Sequence, residues 1–322
     1  MRGFSGGEDK WRIFLEGGGY CESLARCYAH SFTEFGTSRV LRPVPAGLGG
    51  FLSNNPDLNP EFYNWNTVFI HYCDGSSFTG NKPEPVTYRG RTLYFRGSRI
   101  LDAILNELLE NRGLQNAERV ILAGNSAGGM AVFRHADHVR SMLPPRVQFA
   151  ALPGSALFAW DPSLIERFIV RHATLHGMLD GPDFPACTGA YPQSERWKCL
   201  LPQFAVTQVQ SPMFVLHSAY DSWVLRNILG IDCLTQACFD VRWRWTTLQL
   251  HRYKLWGLIV RLSAGQGAYI PSCTDHFLLE STAWNRLNMN GRTPMEAFAD
   301  WLYGRSTRPK EIESNTNLNP TC

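Results

Sequence analysis

The sequence predicts an α/β fold with a mostly parallel central sheet flanked by helices. Short apolar runs have the length and composition of buried strands at 11–15, 67–72, 119–123, 149–152, 212–217 and 267–270. Apolar residues recur at helical spacing at 100–109, 127–142, 241–262 and 294–303. Strands that alternate with helices favour a parallel sheet with helices on its faces.

The chain is expected to form a single catalytic domain over residues 1–305. Its 322 residues are 44% apolar and 18% charged, which fits a globular protein with a sizeable core. Residues 155–210 interrupt the strand–helix alternation, and we expect them to form a lid or insertion. Residues 306–322 are polar and are expected to form a disordered tail.

Charge and cysteine content exclude some classes of function. A net charge of +3 does not argue for nucleic acid, and no apolar run approaches the roughly 18 residues of a membrane span. The nine cysteines contain no C-x-x-C pair, so we expect no metal site. Three pairs close short loops and are expected to form disulfides, the alternative being reduced thiols: Cys21–Cys27, Cys187–Cys199 and Cys233–Cys238.

The first residues contain no apolar stretch of the about 7–15 residues typical of a signal peptide. A chain of this kind is either cytosolic or lacks its natural N-terminus. The cysteine content favours an oxidising compartment. We therefore expect an N-terminally truncated chain.

A candidate nucleophile follows the strand at 119–123. Gly124-Asn125-Ser126-Ala127-Gly128 matches G-x-S-x-G, with an apolar strand before it and a helical stretch after it. In this context the serine stands on a tight turn above the sheet, where the N-terminus of the next helix favours negative charge. An idle serine in a glycine-rich turn is the alternative. The motif favours Ser126 as the nucleophile of an α/β-hydrolase-like enzyme.

A nucleophilic serine needs a base and a group that orients the base. In α/β-hydrolases the acid and then the histidine follow the serine along the chain. Asp221 follows the strand at 212–217, and His276 lies in a later loop. His251 is placed in a helix, where a packed role is expected, and Asp275 is too close to His276 in sequence to orient its ring.

A glycine run follows the first strand and is a candidate oxyanion hole. Gly17, Gly18 and Gly19 can present backbone N–H groups without side-chain shielding, and Ala127 would supply the second donor. A phosphate-binding loop is excluded because no Gly-Lys-Ser/Thr follows. A plain tight turn remains the alternative.

Several motifs in one order resemble the pectin acetylesterase family, which includes the Notum-type carboxylesterases. The motifs are L-E-G-G-G-Y-C at 15–21, L-S-N-N at 52–55, N-W-N at 64–66, Y-C-D-G-S-S-F-T-G at 72–80, F-R-G at 95–97, G-N-S-A-G-G at 124–129, A-Y-D-S-W at 219–223 and S-C-T-D-H at 272–276. The likeness as a whole runs from about residue 11 to 303.

The resemblance implies a secreted serine esterase of α/β-hydrolase-like fold that needs no cofactor. It places Ser126, Asp221 and His276 on the family's triad, and Gly18 and Ala127 on its oxyanion hole. The expected function is removal of acetyl groups from pectin or a related cell-wall polysaccharide. Two alternatives remain: a Notum-like enzyme that removes a longer acyl chain from a protein, and an inactive member that binds glycan or protein.

Substrate-binding residues are assigned at two places. Tyr20 follows the glycine run in a form that resembles the plant-type members, and Trp223 follows Asp221. Arg89, Arg91 and Arg96 stand among aromatic residues and are expected to hold the carboxylates of pectin, the alternative being a solvated surface. We expect a monomer, with no nucleic-acid partner and no membrane span.

Overall fold

Nine strands form the β structure of the part of the chain that the structure describes. A computed structural model describes residues 1–41, 48–159, 162–179 and 184–322. The strands are β1 (Lys10–Leu15), β2 (Asn66–Ile70), β3 (Val86–Tyr88), β4 (Arg91–Leu93), β5 (Arg119–Asn125), β6 (Gln148–Gly154), β7 (Phe214–Leu216), β8 (Gly267–Ile270) and β9 (Lys310–Ile312).

Seven of these strands form one sheet in the order β2-β1-β5-β6-β7-β8-β9, and every neighbouring pair is parallel. The carboxyl ends of the strands therefore lie at the same edge. The chain passes from β1 outward to β2 and later returns to place β5 on the other side of β1. This reversal between β1 and β5 is the place where open α/β sheets form their ligand crevice.

Alternation along the strands divides the core between the two faces of the sheet. On β1, Ile13 and Leu15 pack on one face, and Phe14 packs on the other. Arg12 shares the face of Phe14 and is fully buried, where it donates to the hydroxyl of Thr67 (2.7 Å) and to the carbonyl of Phe51. Burial lowers the pKa of Arg12 to about 9.

The helices of the described residues are α1 (Leu24–His30), α2 (Gly97–Asn111), α3 (Ala127–Met142), α4 (Pro162–His176), α5 (Pro185–Ala190), α6 (Pro202–Ala205), α7 (Ser222–Asn227), α8 (Gln236–Phe239), α9 (Arg242–Val260), α10 (Ala283–Arg286) and α11 (Pro294–Leu302). The sequence predicts α2, α3, α9 and α11, and it does not predict the others. The predicted mostly parallel sheet with flanking helices is confirmed. None of the helices in the described ranges is long and apolar enough to cross a membrane.

Strand β2 ends two residues earlier than the sequence predicts. Its last residue is Ile70, because the chain then turns toward the side chain of Glu16. The Glu16 carboxylate accepts from the backbone N–H of Tyr72 (2.8 Å) and lies 3.2 Å from Nδ1 of His71. A side chain thus replaces the strand partner of Tyr72.

Four disulfides link cysteines of this chain, and they include the three predicted pairs, Cys21–Cys27, Cys187–Cys199 and Cys233–Cys238. The fourth, Cys273–Cys322, was not predicted because its partners are 49 residues apart in sequence. Cys73 is a free thiol, and burial raises its pKa to about 11.

The expectation of a disordered tail at 306–322 is wrong. Residues 310–312 pair with β8 as the edge strand β9, and Tyr220 donates its hydroxyl to the carbonyl of Thr316 (2.6 Å). The disulfide to Cys273 fixes the last residue. A polar composition did not reveal this order because β9 is only three residues long and its support comes from distant parts of the chain.

We expect the Cys273–Cys322 disulfide to stabilise the fold strongly because it closes a long loop. Replacing Cys322 by Ser should lower the free energy of unfolding by about 2–4 kcal/mol. Urea unfolding without reductant measures this change, and Cys73→Ser is the matched control that removes a thiol but no disulfide. An unchanged midpoint for Cys322→Ser would contradict the structural role of this bond.

Candidate active site

Ser126 occupies a sharp turn between strand β5 and helix α3. Its backbone lies in the left-handed region, with φ 57° and ψ −122°. The turn needs glycine on both sides: a Cβ on Gly124 would lie 2.5 Å from the backbone of Gly128, and a Cβ on Gly128 would lie 1.9 Å from the carbonyl oxygen of Leu15. Strain of this kind is typical of a nucleophile elbow.

His276 connects Ser126 to Asp221. Nε2 of His276 lies 2.9 Å from Oγ of Ser126, and Nδ1 lies 2.7 Å from Oδ2 of Asp221. Asp221 is fully buried, and His276 is 7% exposed. The structure therefore brings the three predicted side chains into one hydrogen-bonded chain, in the arrangement that lets an imidazole take a proton from a hydroxyl.

The two oxygens of the Asp221 carboxylate have separate partners. Oδ1 accepts from the backbone N–H groups of Trp223 (2.9 Å) and Val224 (3.1 Å) and so caps the N-terminus of α7. Oδ2 accepts from His276. Because the helix N-terminus also favours negative charge, the carboxylate is held in place independently of the histidine.

Neighbouring polar groups fix the loop that carries His276. Asn125 donates its side-chain amide to the carbonyl of His276 (2.8 Å), and Ser218 donates to the carbonyl of Asp275 (2.6 Å). The Asp275 carboxylate accepts from Phe277 N–H (2.7 Å) and from the Ser281 hydroxyl (2.6 Å), so it supports the loop.

His251, the other histidine after Asp221, is buried within α9. It therefore has the packed position that the sequence predicts for it.

The glycine loop after β1 lies directly against Ser126. A Cβ on Gly17 would lie 3.2 Å from Cβ of Ser126, and a Cβ on Gly18 would overlap the ring of Tyr72 at 2.1 Å. The Tyr72 hydroxyl holds the loop by donating to the carbonyl of Gly19 (2.6 Å). Ala127 is the first residue of α3, where a backbone N–H has no acceptor within the helix.

An apolar pocket lies beside His276. The rings of Phe158 and Trp223 lie 4.7 Å apart and within 6.2 and 6.4 Å of the His276 ring. The volume of the pocket is about 60 Å³. Its further lining residues come from the loops after β1 and β2, from α3 and from the segment 155–210: Tyr20, Ser77, Thr79, Met130, Phe133, Arg134, Phe168, Ile169, His172, Met178, Cys199, Leu200, Leu201 and Ala205.

The predicted substrate-binding residues fall into two groups. Tyr20 and Trp223 both line the apolar pocket, and Tyr20 packs edge-on against His172 with ring centroids 5.3 Å apart. Arg89, Arg91 and Arg96 lie on or just after the β3–β4 hairpin and do not line this pocket.

The arginines of the hairpin have local partners. Arg91 donates to the carbonyl of Ser31 (2.6 Å) and stacks on Phe32, and Arg96 donates to the carbonyl of Pro83 (2.8 Å). Arg89 stacks on the Tyr88 ring at 5.5 Å, in the left-handed turn of the hairpin.

A carboxyl group that the sequence did not single out lies near the histidine. The pKa of Glu280 is raised to about 7, first by burial and then by the negative charge of Glu16, while the proximity of His276 opposes the rise. The glycine-loop motif contains Glu16, but nothing in the sequence around Glu280 indicated its burial. Phe158 was missed for the same reason, since its place beside His276 arises from packing between distant segments.

One group of potential metal ligands occurs in the described parts of the chain, and it consists of Cys21, Cys27 and His176. The two sulfurs are joined as a disulfide, and Nε2 of His176 lies 2.8 Å from the carbonyl oxygen of Cys21. The potential ligand atoms therefore already have partners within the protein, and these contacts hold the loop that follows the glycine run.

Comparison with known proteins identifies relatives over the full length. A family model described as pectinacetylesterase matches residues 1–322. Pectin acetylesterase 11 of Arabidopsis thaliana is 30% identical and is matched over 100% of this chain and 85% of its own length. Pectin acetylesterase 5 of the same plant is 31% identical over 99% of this chain and 78% of its own.

The palmitoleoyl-protein carboxylesterase Notum of Schmidtea mediterranea is 27% identical over 97% of this chain and 60% of its own. The solved structure of the Wnt deacylase Notum from Drosophila has a similar fold, with a TM-score of 0.83, 24% identity, and coverage of 98% of this chain and 90% of that chain. The predicted α/β-hydrolase-like fold is thereby confirmed. On the family match and the plant relatives, this chain belongs to the pectinacetylesterase family and is a carboxylic ester hydrolase.

Proposed function

We propose that the protein removes acetyl groups from pectin or a related cell-wall polysaccharide by way of an acyl-enzyme on Ser126. The observation that carries this proposal is the chain of hydrogen bonds from Ser126 through His276 to Asp221. The family match and the plant relatives named pectin acetylesterases support the polysaccharide substrate.

In the first step Ser126 is acylated. His276 takes the hydroxyl proton at Nε2 while Oγ of Ser126 attacks the ester carbonyl. The carbonyl oxygen becomes negative and is stabilised by the N–H groups of Gly18 and Ala127. As the intermediate collapses, His276 returns the proton to the sugar oxygen, and the alcohol leaves with the acetyl group still on Ser126.

In the second step water takes the place of the sugar hydroxyl. His276 removes a proton from the water, which attacks the acetyl carbonyl. The bond to Oγ then breaks, Ser126 regains its proton and acetate is released. Throughout the reaction Asp221 accepts the hydrogen bond from Nδ1–H of His276 and stabilises the positive imidazolium. Its other oxygen is held at the N-terminus of α7, so the carboxylate stays in place.

The size of the apolar pocket supports a short acyl group. The pocket volume of about 60 Å³ is well below the about 150 Å³ of a cavity that binds benzene. This small volume favours a short acyl group such as acetyl.

A second candidate is a carboxylesterase that acts on a longer acyl chain attached to a protein. The apolar lining of the pocket favours it, because aromatic and aliphatic side chains such as Phe168 and Leu201 offer nothing to a polar group. The small volume opposes it. An inactive scaffold that binds glycan or protein is the third alternative, and the geometry around Ser126 opposes it.

We further propose that the enzyme works outside the cell as a monomer. The four disulfides support an oxidising compartment, where such bonds persist. No metal or organic cofactor enters the proposed reaction.

Replacing Ser126 by Ala should abolish release of acetate from p-nitrophenyl acetate, with a loss in kcat of about 10⁴-fold or more. Asp221→Asn should lower kcat about 10³–10⁴-fold with little change in Tm, because Asn still caps α7 but favours the wrong tautomer of His276. Ser141→Ala, at an exposed serine of α3, is the control. Turnover or fluorophosphonate labelling that survives in Ser126→Ala would refute the assignment.

The acyl pocket should set a chain-length limit. In a series of p-nitrophenyl esters, kcat/KM should fall by about tenfold or more between the four-carbon and eight-carbon acyl groups, since the longer chain exceeds the pocket. Phe168→Ala should restore part of the eight-carbon activity, whereas Val170→Ala on the same helix should not. A rate that rises steadily to sixteen carbons would favour the Notum-like alternative.

Glu280 should make the folded state less stable as the pH rises. The pKa of Glu280 is about 7 in the folded protein and 4.5 for an ordinary glutamate, as in the unfolded chain. Between pH 4.5 and about pH 7, the folded protein therefore keeps a proton that the unfolded chain has lost. Glu280→Gln mimics the protonated form and should raise Tm at pH 8 but leave it unchanged at pH 4. The exposed Glu110→Gln is the control, and an equal shift of Tm at both pH values would argue against this explanation.

A further inference from the structure

Helix α9 exposes an apolar face that is unusual for the surface of this protein. Trp243 is 55% exposed, Leu250 61%, Tyr253 69%, Trp256 48% and Val260 50%. At 1.5 Å per residue this face extends over about 25 Å from Trp243 to Val260. Exposed apolar stretches of this extent mark interaction sites more often than chance positions.

The opposite face of α9 packs against the hydrophobic core. Leu248, Leu255, Leu258 and Ile259 are buried in the main hydrophobic cluster. Packing onto the sheet therefore does not require the exposed apolar side chains. A helix that is apolar on both faces is expected to have a partner on each.

The charged side chains of α9 and of the segment that follows it are all of one sign. Between Asp240 and Asp275 the sequence has no acidic residue and five basic ones, Arg242, Arg244, Arg252, Lys254 and Arg261. Arg252 turns inward and donates to the carbonyl of Asn315 (2.6 Å). Arg242, Lys254 and Arg261 are exposed, so cations flank the apolar face at both ends and near its middle.

The aromatic rings are arranged as a platform. Tyr253 and Trp256 have ring centroids 5.9 Å apart and an interplanar angle of 33°, and Arg244 lies over the Trp243 ring at 5.1 Å. Pyranose rings carry patches of C–H groups that pack on the electron-rich faces of such rings. Guanidinium and ammonium groups beside them pair with carboxylates.

We propose that the exposed face of α9 is a docking surface for an anionic polysaccharide of the uronate type, separate from the catalytic site. The inference rests on the proposed function in that the same polymer would be both docked and deacetylated. Helix α9 leads into β8, which is parallel to its neighbours, so its first turn with Trp243 lies toward the edge of the sheet that carries Ser126. A polymer along α9 would thus stay close to the esterase site.

Affinity electrophoresis of the full chain in gels containing polygalacturonate tests this proposal. The binding variants are made in a Ser126→Ala background, so that no acyl transfer occurs during the run. We expect retardation, and we expect the double variant Tyr253→Ala, Trp256→Ala to bind about fivefold to tenfold more weakly. Phe4→Ala, which removes an exposed aromatic beside the start of β2, at the other end of the strand order from β8, should bind like the parent.

Two double charge-reversal variants distinguish binding at α9 from attraction of the polymer to the net charge of the protein. Arg242→Glu with Lys254→Glu should abolish most of the retardation, whereas Arg2→Glu with Arg286→Glu, which makes the same net change elsewhere, should not. Fully methyl-esterified polymer should retard the protein less than polygalacturonate does. With Ser126 intact, the Tyr253 and Trp256 variants should hydrolyse p-nitrophenyl acetate at the parent rate.

Three results would overturn the docking proposal: no retardation of the parent, equal binding by the α9 and control variants, or co-sedimentation with anionic phospholipid vesicles in place of binding to polygalacturonate. Esterase activity is measured separately from retardation. A negative retardation result would therefore contradict the docking proposal but not the proposed reaction. Turnover by Ser126→Ala would contradict the proposed reaction but not the docking proposal.

Discussion

The close approach of two glycine-containing turns is the constraint on which the candidate active site depends. The loop after β1 lies so near the start of α3 that a Cβ on Gly128 would overlap the Leu15 carbonyl, and a Cβ on Gly17 would crowd Ser126. This contact sets how closely the glycine loop approaches Ser126. It forms because β1 and β5 are adjacent parallel strands whose carboxyl ends meet at one edge.

Asp221 extends this arrangement across the sheet. One of its oxygens caps α7 and the other holds His276, so the orientation of the imidazole is tied to the end of β7 and to a helix N-terminus. The loop that carries His276 is held in turn by Asn125, the residue before Ser126. Each side chain of the hydrogen-bonded chain is therefore placed by an element that also belongs to the core.

The segment 155–210 and the end of the chain line the pocket and support the loop that carries His276. Side chains of this segment line the apolar pocket, and His176 of α4 connects it to the loop after the glycine run through the carbonyl of Cys21. The last residues add the strand β9 and a disulfide to Cys273, three residues before His276. The region around the histidine thus receives support from parts of the chain that are far from it in sequence.

The sequence by itself determined the alternation of strands and helices, the parallel sheet, the elbow at Ser126 and the order of Asp221 and His276, because each depends on a local pattern of a few residues or on the direction of the chain. It also identified the three short-range disulfides, since nearby cysteines have little choice of partner. Only the tertiary structure showed that residues 306–322 are ordered, that Arg12 and Glu280 are buried, and that Phe158 lies beside His276. These features arise where segments distant in sequence pack together, and the packing rather than the residue type sets their contacts, their solvent exposure and their pKa values.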